Sequence, residues 1–177
     1  MNLSGKTKRM VLAAMFLALG LVLPFVTLQI PAIGQMLCPM HIPVMLCGIF
    51  CGWQYGLVVG FITPLLRSVL FGMPQMYPTA IAMAFELAVY GIIAGILYKV
   101  LPDKLWRIYA TLIGAMISGR IAWGIAQYFL AQIINVPFTL RMFLAGAVIT
   151  AIPGIVLHII LIPLLVRVLE KAKMMLN

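Results

Sequence analysis

Two ionisable residues, Glu86 and Arg120, lie in the middle of apolar, helix-length segments of this chain. A charged side chain at membrane depth costs at least about 2.5–3.5 kcal/mol on insertion scales, so such residues face a partner, a cavity or a ligand. Glu86 and Arg120 are therefore expected either to line a binding site for a small polar solute or to form an ion pair that locks the helices. The sequence leaves both alternatives open.

Other polar and aromatic residues are placed to join these two charges. Tyr90 shares the helical face of Glu86, and Trp123 and Gln127 follow Arg120 at helical spacings of three and seven residues. Because the planar arginine fork suits a carboxylate or phosphate, the solute is expected to carry an acidic group. The predicted binding residues are Glu86, Arg120, Trp123, Gln127, Arg67, His41, Tyr77, Tyr90 and Asn135.

For several of these residues, a structural role would explain the residue type as well as ligand binding does. Packing alone accounts for Trp123 and Gln127, and anchoring at the membrane interface accounts for Arg67 and for the nearby loop residue Arg141. His41 is expected to contact the ligand or to cap a helix.

The composition predicts one compact membrane domain over residues 1–177. The chain is 65% hydrophobic and 8% charged, with a mean hydropathy of +1.19, and so few charges cannot cover a soluble domain of this size. Its net charge of +9 comes from residues at the ends of apolar segments. That placement follows the positive-inside rule and argues against a nucleic-acid partner.

Five apolar stretches run along the chain, and the second is too long for a single span. Trp53–Gly56 is expected to break it, which gives six transmembrane helices in an all-α integral membrane fold. The stretches are Met10–Ile30, Ile33–Phe71, Thr79–Leu101, Leu105–Ile134 and Met142–Val168.

The basic residues favour six spans with both termini in the cytoplasm, because that arrangement gathers the clusters on one side. These residues are Lys6, Lys8, Arg9, Lys99, Lys104, Arg107, Arg167, Lys171 and Lys173. The opposite loops, at about 31–40, 72–78 and 135–141, all contain proline. Pro39 and Pro43 also interrupt the second span, and the backbone polar groups freed there predict a cavity in the outer half.

No enzyme signature is present. The other two acidic residues, Asp103 and Glu170, are expected to be cytoplasmic and far from Glu86, so no carboxylate pair forms. Cys47 and Cys51 lie one helical turn apart, but no complete metal-ligand set accompanies them. We therefore expect no catalytic activity, no metal and no cofactor.

The chain resembles the substrate-binding S components of energy-coupling factor (ECF) vitamin transporters over nearly its whole length. The resemblance rests on its size, its six predicted spans and its basic start followed by Ala14–Ala18. It also rests on Met40–Gly48 leading to Gly52, and on Gly56–Gly60. Family members carry an Ala-xxx-Ala motif on the first helix that contacts the transmembrane T component, and this motif maps onto Ala14 and Ala18.

The resemblance implies an S-component bundle in a prokaryotic cell membrane. Such a subunit captures a water-soluble vitamin from outside, and delivers it by toppling on a T component driven by two cytoplasmic ATPases. The stretch around His41 looks most like the pantothenate group, although folate also suits the arginines. The rival interpretation is an autonomous small secondary transporter of an organic anion, which would need an inverted repeat or a dimer.

Overall fold

A computed structural model describes residues 5–27, 30–104 and 106–171, and within these ranges every regular element is helical. The α-helices are α1 (Gly5–Val22), α2 (Pro31–Leu37), α3 (His41–Cys51), α4 (Trp53–Phe71), α5 (Ile81–Val100), α6 (Trp106–Ile133), α7 (Leu140–Leu144) and α8 (Ile152–Lys171). A 3₁₀-helix (Leu23–Thr27) extends α1, and π-helical turns precede α5 (Met76–Ala80) and α8 (Ala145–Ile149).

Five helical segments are long and apolar enough to cross a membrane. They are Gly5–Thr27, Trp53–Phe71, Met76–Val100, Trp106–Ile133 and Leu140–Lys171. The all-helical membrane fold predicted from the sequence is confirmed. Helix α3 has 11 residues, and at 1.5 Å per residue it covers about half of the 30 Å hydrocarbon core.

The long second apolar stretch is broken, as predicted, and the break lies at Gly52, just before the expected segment. Gly52 has a φ of 99°, a conformation that costs glycine little and other residues much. A second break, between α2 and α3, contains Pro39. All 11 residues of α3 are buried, so this half-length helix lies at the centre of the bundle.

Glycines allow α3, α4 and α5 to pack backbone to backbone. A Cβ atom added to Gly91 of α5 would overlap the backbone of Gly56 in α4, and one added to Gly48 of α3 would overlap the Gly91 carbonyl. A Cβ on Gly95 would lie 2.5 Å from the backbone nitrogen of Trp53. Close approach at these glycines therefore holds α3, α4 and α5 together.

Helices α4, α5, α6 and α8 alternate in direction, and α1 runs parallel to α4, because the end of α1 meets the end of α4. The bundle therefore has two distinct ends. At one end, called here the basic end, Arg107 lies 2.9 Å from Asp103, 3.7 Å from Glu170 and 4.0 Å from the centre of the Tyr98 ring. These contacts join α5, α6 and α8. The described basic residues predicted to share a side belong to this end, whereas Lys173 lies outside the described residues.

The other end, called here the cavity end, is built from irregular and broken helices. Arg67 near the end of α4 donates to the carbonyl oxygen of Leu21 at the end of α1. The Tyr77 hydroxyl donates to the carbonyl oxygen of Leu130 near the end of α6, over 2.5 Å. The C-terminal turn of α2 lies directly against Gly154 in the first turn of α8. These contacts hold α1, α2, α4, α6 and α8 together at this end of the bundle.

Candidate ligand-binding cavity

A cavity of about 460 Å³ opens among the helices at the cavity end. Its volume lies within the 300–1,000 Å³ that small-molecule sites usually have. The 3₁₀-helix, α2, α3, α4, α5, α6 and the segments before α5 and α8 all contribute to its walls. Of the nine binding residues predicted from the sequence, the lining contains Glu86, Arg120, Trp123, Gln127, Arg67 and His41.

Glu86 is the centre of a buried polar cluster on one wall. It is 1% exposed, and its Oε1 atom lies 3.0 Å from Nη1 of Arg120 and 3.4 Å from Nε2 of His41. The Tyr90 hydroxyl donates to the same oxygen over 3.0 Å. Three helices, α3, α5 and α6, therefore converge on a single carboxylate oxygen, as expected of an intramembrane charge that is paired.

Arg120 connects this cluster to the broken segment before α3. While Nη1 faces Glu86, Nη2 donates to Sγ of Cys38 over 3.6 Å. Cys38 has a φ of 47° and ends α2 in the left-handed conformation. The Arg120 side chain is 18% exposed and lines the cavity, so it combines an ion pair with access to a solute.

Arg67 lies in a second, separate part of the lining. It is 2% exposed, and its guanidinium lies 4.9 Å from the centre of the Phe25 ring and 5.2 Å from that of Phe71. Its carbonyl partner is Leu21. Interfacial anchoring, one of the two explanations offered for this arginine, requires a side chain that reaches the surface. The buried position fits the cavity explanation instead.

Trp123 and the residues around it form an aromatic wall. The indole is 6.1 Å from the ring of Phe138 and 6.2 Å from that of Phe143, measured between ring centroids. A Cβ on Gly146 would lie 2.9 Å from the indole, so glycine makes room for it. Gln127, one helical turn further along α6, adds an amide to the same lining.

Two histidines pack against each other behind the Glu86 cluster. His41, the first residue of α3, stacks on His158 of α8 with ring centroids 5.9 Å apart, and both residues are 2% exposed. His41 is not the N-cap of α3, which is Met40. Its position beside Glu86 matches the ligand-contact alternative, and helix capping is excluded.

Three of the predicted binding residues do not line the cavity. The Tyr77 hydroxyl donates a hydrogen bond to the Leu130 carbonyl oxygen. Tyr90 is buried behind Glu86 and donates a hydrogen bond to its carboxylate. Asn135 has a φ of 54° and is exposed in the turn after α6, where its left-handed backbone conformation explains the residue type. Arg141 is also exposed and lies outside the lining.

Several lining residues were not predicted from the sequence. Their side chains are short or uncharged and occur in irregular segments, where spacing carries no signal about direction. They include Thr27, Cys38, Gln75, Thr79 and Thr150. Met83 of α5 is a further lining residue, and it did have a sequence signal, since it lies one turn before Glu86 on the same helical face.

Ala14 and Ala18 lie on the exposed side of α1, away from the cavity lining. Their neighbours Ala13 and Phe16 are buried against the bundle. The small-residue motif of α1 therefore faces outwards and forms a shallow, apolar surface.

Five segments long and apolar enough to cross a membrane, around a cavity lined by charged residues, define an integral membrane protein with an internal polar cavity. Residues 8–166 match the family model described as the ECF transporter, substrate-specific component. This match covers most of the 177 residues, and the chain belongs to that family. No curated protein and no solved structure matches the chain.

Proposed function

We propose that this chain is the binding subunit of an ECF-type importer and captures a water-soluble vitamin in the cavity lined by Glu86, Arg120 and Arg67. The observation that carries the proposal is the combination of family membership with a cavity that holds buried charges and an aromatic wall. A passive bundle gains little from such charges, because each must be paired at membrane depth. Pantothenate, a small vitamin with one carboxylate, is the preferred substrate.

The orientation follows from charge. The basic end carries the described lysines, whereas the described basic residues near the cavity end are Arg120, which is paired with Glu86, buried Arg67 and exposed Arg141. The positive-inside rule therefore favours a cytoplasmic basic end. With that orientation the cavity opens to the outside, where a scavenging subunit meets its substrate. The membrane concerned is the cytoplasmic membrane of a prokaryote.

Transport requires partners under this proposal. Ala14 and Ala18 present a shallow exposed surface that fits the T component, and ATP hydrolysis takes place on two cytoplasmic ATPase subunits. The chain alone is not an enzyme in this account. It binds the vitamin, and its partners supply the energy for release.

Equilibrium binding to the purified, full-length chain tests the proposal. We expect at least one vitamin to bind with a Kd below about 1 µM and a stoichiometry of one. Arg120→Gln should weaken this binding, whereas Arg141→Gln, a substitution of an exposed arginine outside the lining, should leave it unchanged. Sustained accumulation of solute by proteoliposomes containing this chain alone would instead support the autonomous carrier.

A further inference from the structure

Arg67 is a buried cation for which the protein provides no anion. Its described partners are the Leu21 carbonyl oxygen and the rings of Phe25 and Phe71. A carbonyl and two π faces supply partial negative charge, but they do not neutralise the full positive charge of a buried guanidinium. Such a residue is costly unless an anion joins it, and this one lines the cavity.

All acidic side chains of the chain are already committed elsewhere. The sequence contains three, and Glu86 pairs with Arg120 in the polar cluster. Asp103 and Glu170 pair with Arg107 at the basic end. The carboxylate that would match Arg67 must therefore come from a ligand.

The Glu86–Arg120 pair differs from Arg67 because its two opposite charges cancel, so this part of the cavity lining is neutral overall. The contacts of Glu86 to His41, Arg120 and Tyr90 all use the same carboxylate oxygen, Oε1. Since both residues line the cavity, the pair offers a ligand an acceptor beside arginine N–H donors. A hydroxyl or amide, which donates and accepts at once, satisfies both partners.

We infer that the cavity selects a singly charged anion, whose acidic group lies at Arg67 while a neutral hydroxyl or amide lies at Glu86–Arg120. This inference rests on the proposed function and adds the charge and the direction of the bound solute. Arg67, Arg120 and Glu86 together carry one positive charge, which a monoanion cancels. A dianion such as folate leaves a buried negative charge, and a neutral or cationic vitamin leaves Arg67 unmatched.

Matched ligand pairs test the inference on the full-length protein. The monoanions are pantothenate, biotin and nicotinate, and their neutral counterparts are panthenol, biotinol and nicotinamide, in which an alcohol or amide replaces the carboxylate. Folate and thiamine complete the panel as a dianion and a cation. We expect one monoanion to bind at least tenfold more tightly than its neutral counterpart, and folate and thiamine not to bind.

Variants then locate the acidic group. In Arg67→Gln the affinity for the monoanion should fall at least tenfold, and the preference over the neutral counterpart should fall to about one. Arg67→Lys keeps the charge and should keep part of the preference. Arg120→Gln should weaken both ligands of the pair by similar factors and leave their ratio unchanged.

Several results would overturn the inference. Tight binding of folate, thiamine or a neutral vitamin with no bound monoanion would contradict it while leaving the binding-subunit function intact. If Arg120→Gln lost the preference for the monoanion over its neutral counterpart while Arg67→Gln kept it, the acidic group would lie at Arg120 and not at Arg67. Binding of nothing in the panel by folded protein would count against both the inference and the proposed function. Even if Arg67→Gln does not fold, the ratio of the wild-type affinities for a monoanion and its neutral counterpart shows whether the cavity selects a negative charge.

Discussion

Nη1 of Arg120 lies 3.0 Å from Oε1 of Glu86 inside a bundle where the carboxylate is 1% exposed. This contact unites the two interpretations that the sequence left open, since an ion pair in the cavity lining can both lock helices and meet a solute. Its two roles can be separated by experiment. Removing a single partner strands a buried charge, whereas removing both does not.

A double-mutant cycle on this pair should show strong coupling in stability. Glu86→Gln leaves Arg120 without its anion and should destabilise the protein by about 3–5 kcal/mol. Adding Arg120→Gln should recover a substantial part of that loss, and thermal unfolding in detergent measures all four proteins. Additive losses in the double variant would contradict the pairing.

The architecture was accessible from the sequence to a large extent, because hydropathy and charge placement report directly on membrane helices. The break near Trp53 was predicted from the aromatic and glycine residues, and Gly52 lies beside it. The interruption of the second span was predicted from Pro39 and Pro43, but the 11-residue length of α3 was not, since an apolar stretch does not reveal where a helix ends. For Arg67 the sequence left both interfacial anchoring and a place in the cavity open, because a position near a helix end does not show which way a side chain turns.

Trp123 should report ligand binding by fluorescence. It lines the cavity, whereas Trp53 and Trp106 are exposed and lie at the basic end. A vitamin that binds should change the emission of the wild type, and Trp123→Phe should remove most of that change. Trp106→Phe, the matched control, should retain it. A signal that disappears with Trp106 instead would place the ligand away from this cavity.

Gly91→Ala should be among the most damaging single-methyl changes in the chain. The added carbon would overlap the Gly56 backbone, and backbone cannot move aside as a flexible side chain can. We expect a loss of about 3 kcal/mol or more, or a failure to fold, measured by thermal unfolding or by yield of monodisperse protein. Gly114→Ala meets only the end of the Leu97 side chain and serves as control; equal effects of the two substitutions would refute the backbone contact.

Bulky residues at Ala14 and Ala18 should separate binding from transport. Ala14→Trp and Ala18→Trp fill the exposed surface of α1 without touching the cavity, so vitamin binding should persist. Co-purification with the T component and ATPases should be lost. Ile117→Trp and Ile160→Trp enlarge exposed residues on α6 and α8 and should leave the complex intact. A complex that survives both α1 substitutions would rule out this surface as the contact.

The most direct test of the central claim is mass spectrometry of the small molecules released when the purified protein is denatured. We expect the wild type to release one water-soluble vitamin in stoichiometric amount, with a single negative charge at neutral pH. Protein carrying Arg120→Gln should release none. Folded wild-type protein that releases no vitamin, and that also binds none when a panel is added, would contradict the claim that this cavity is a vitamin-binding site.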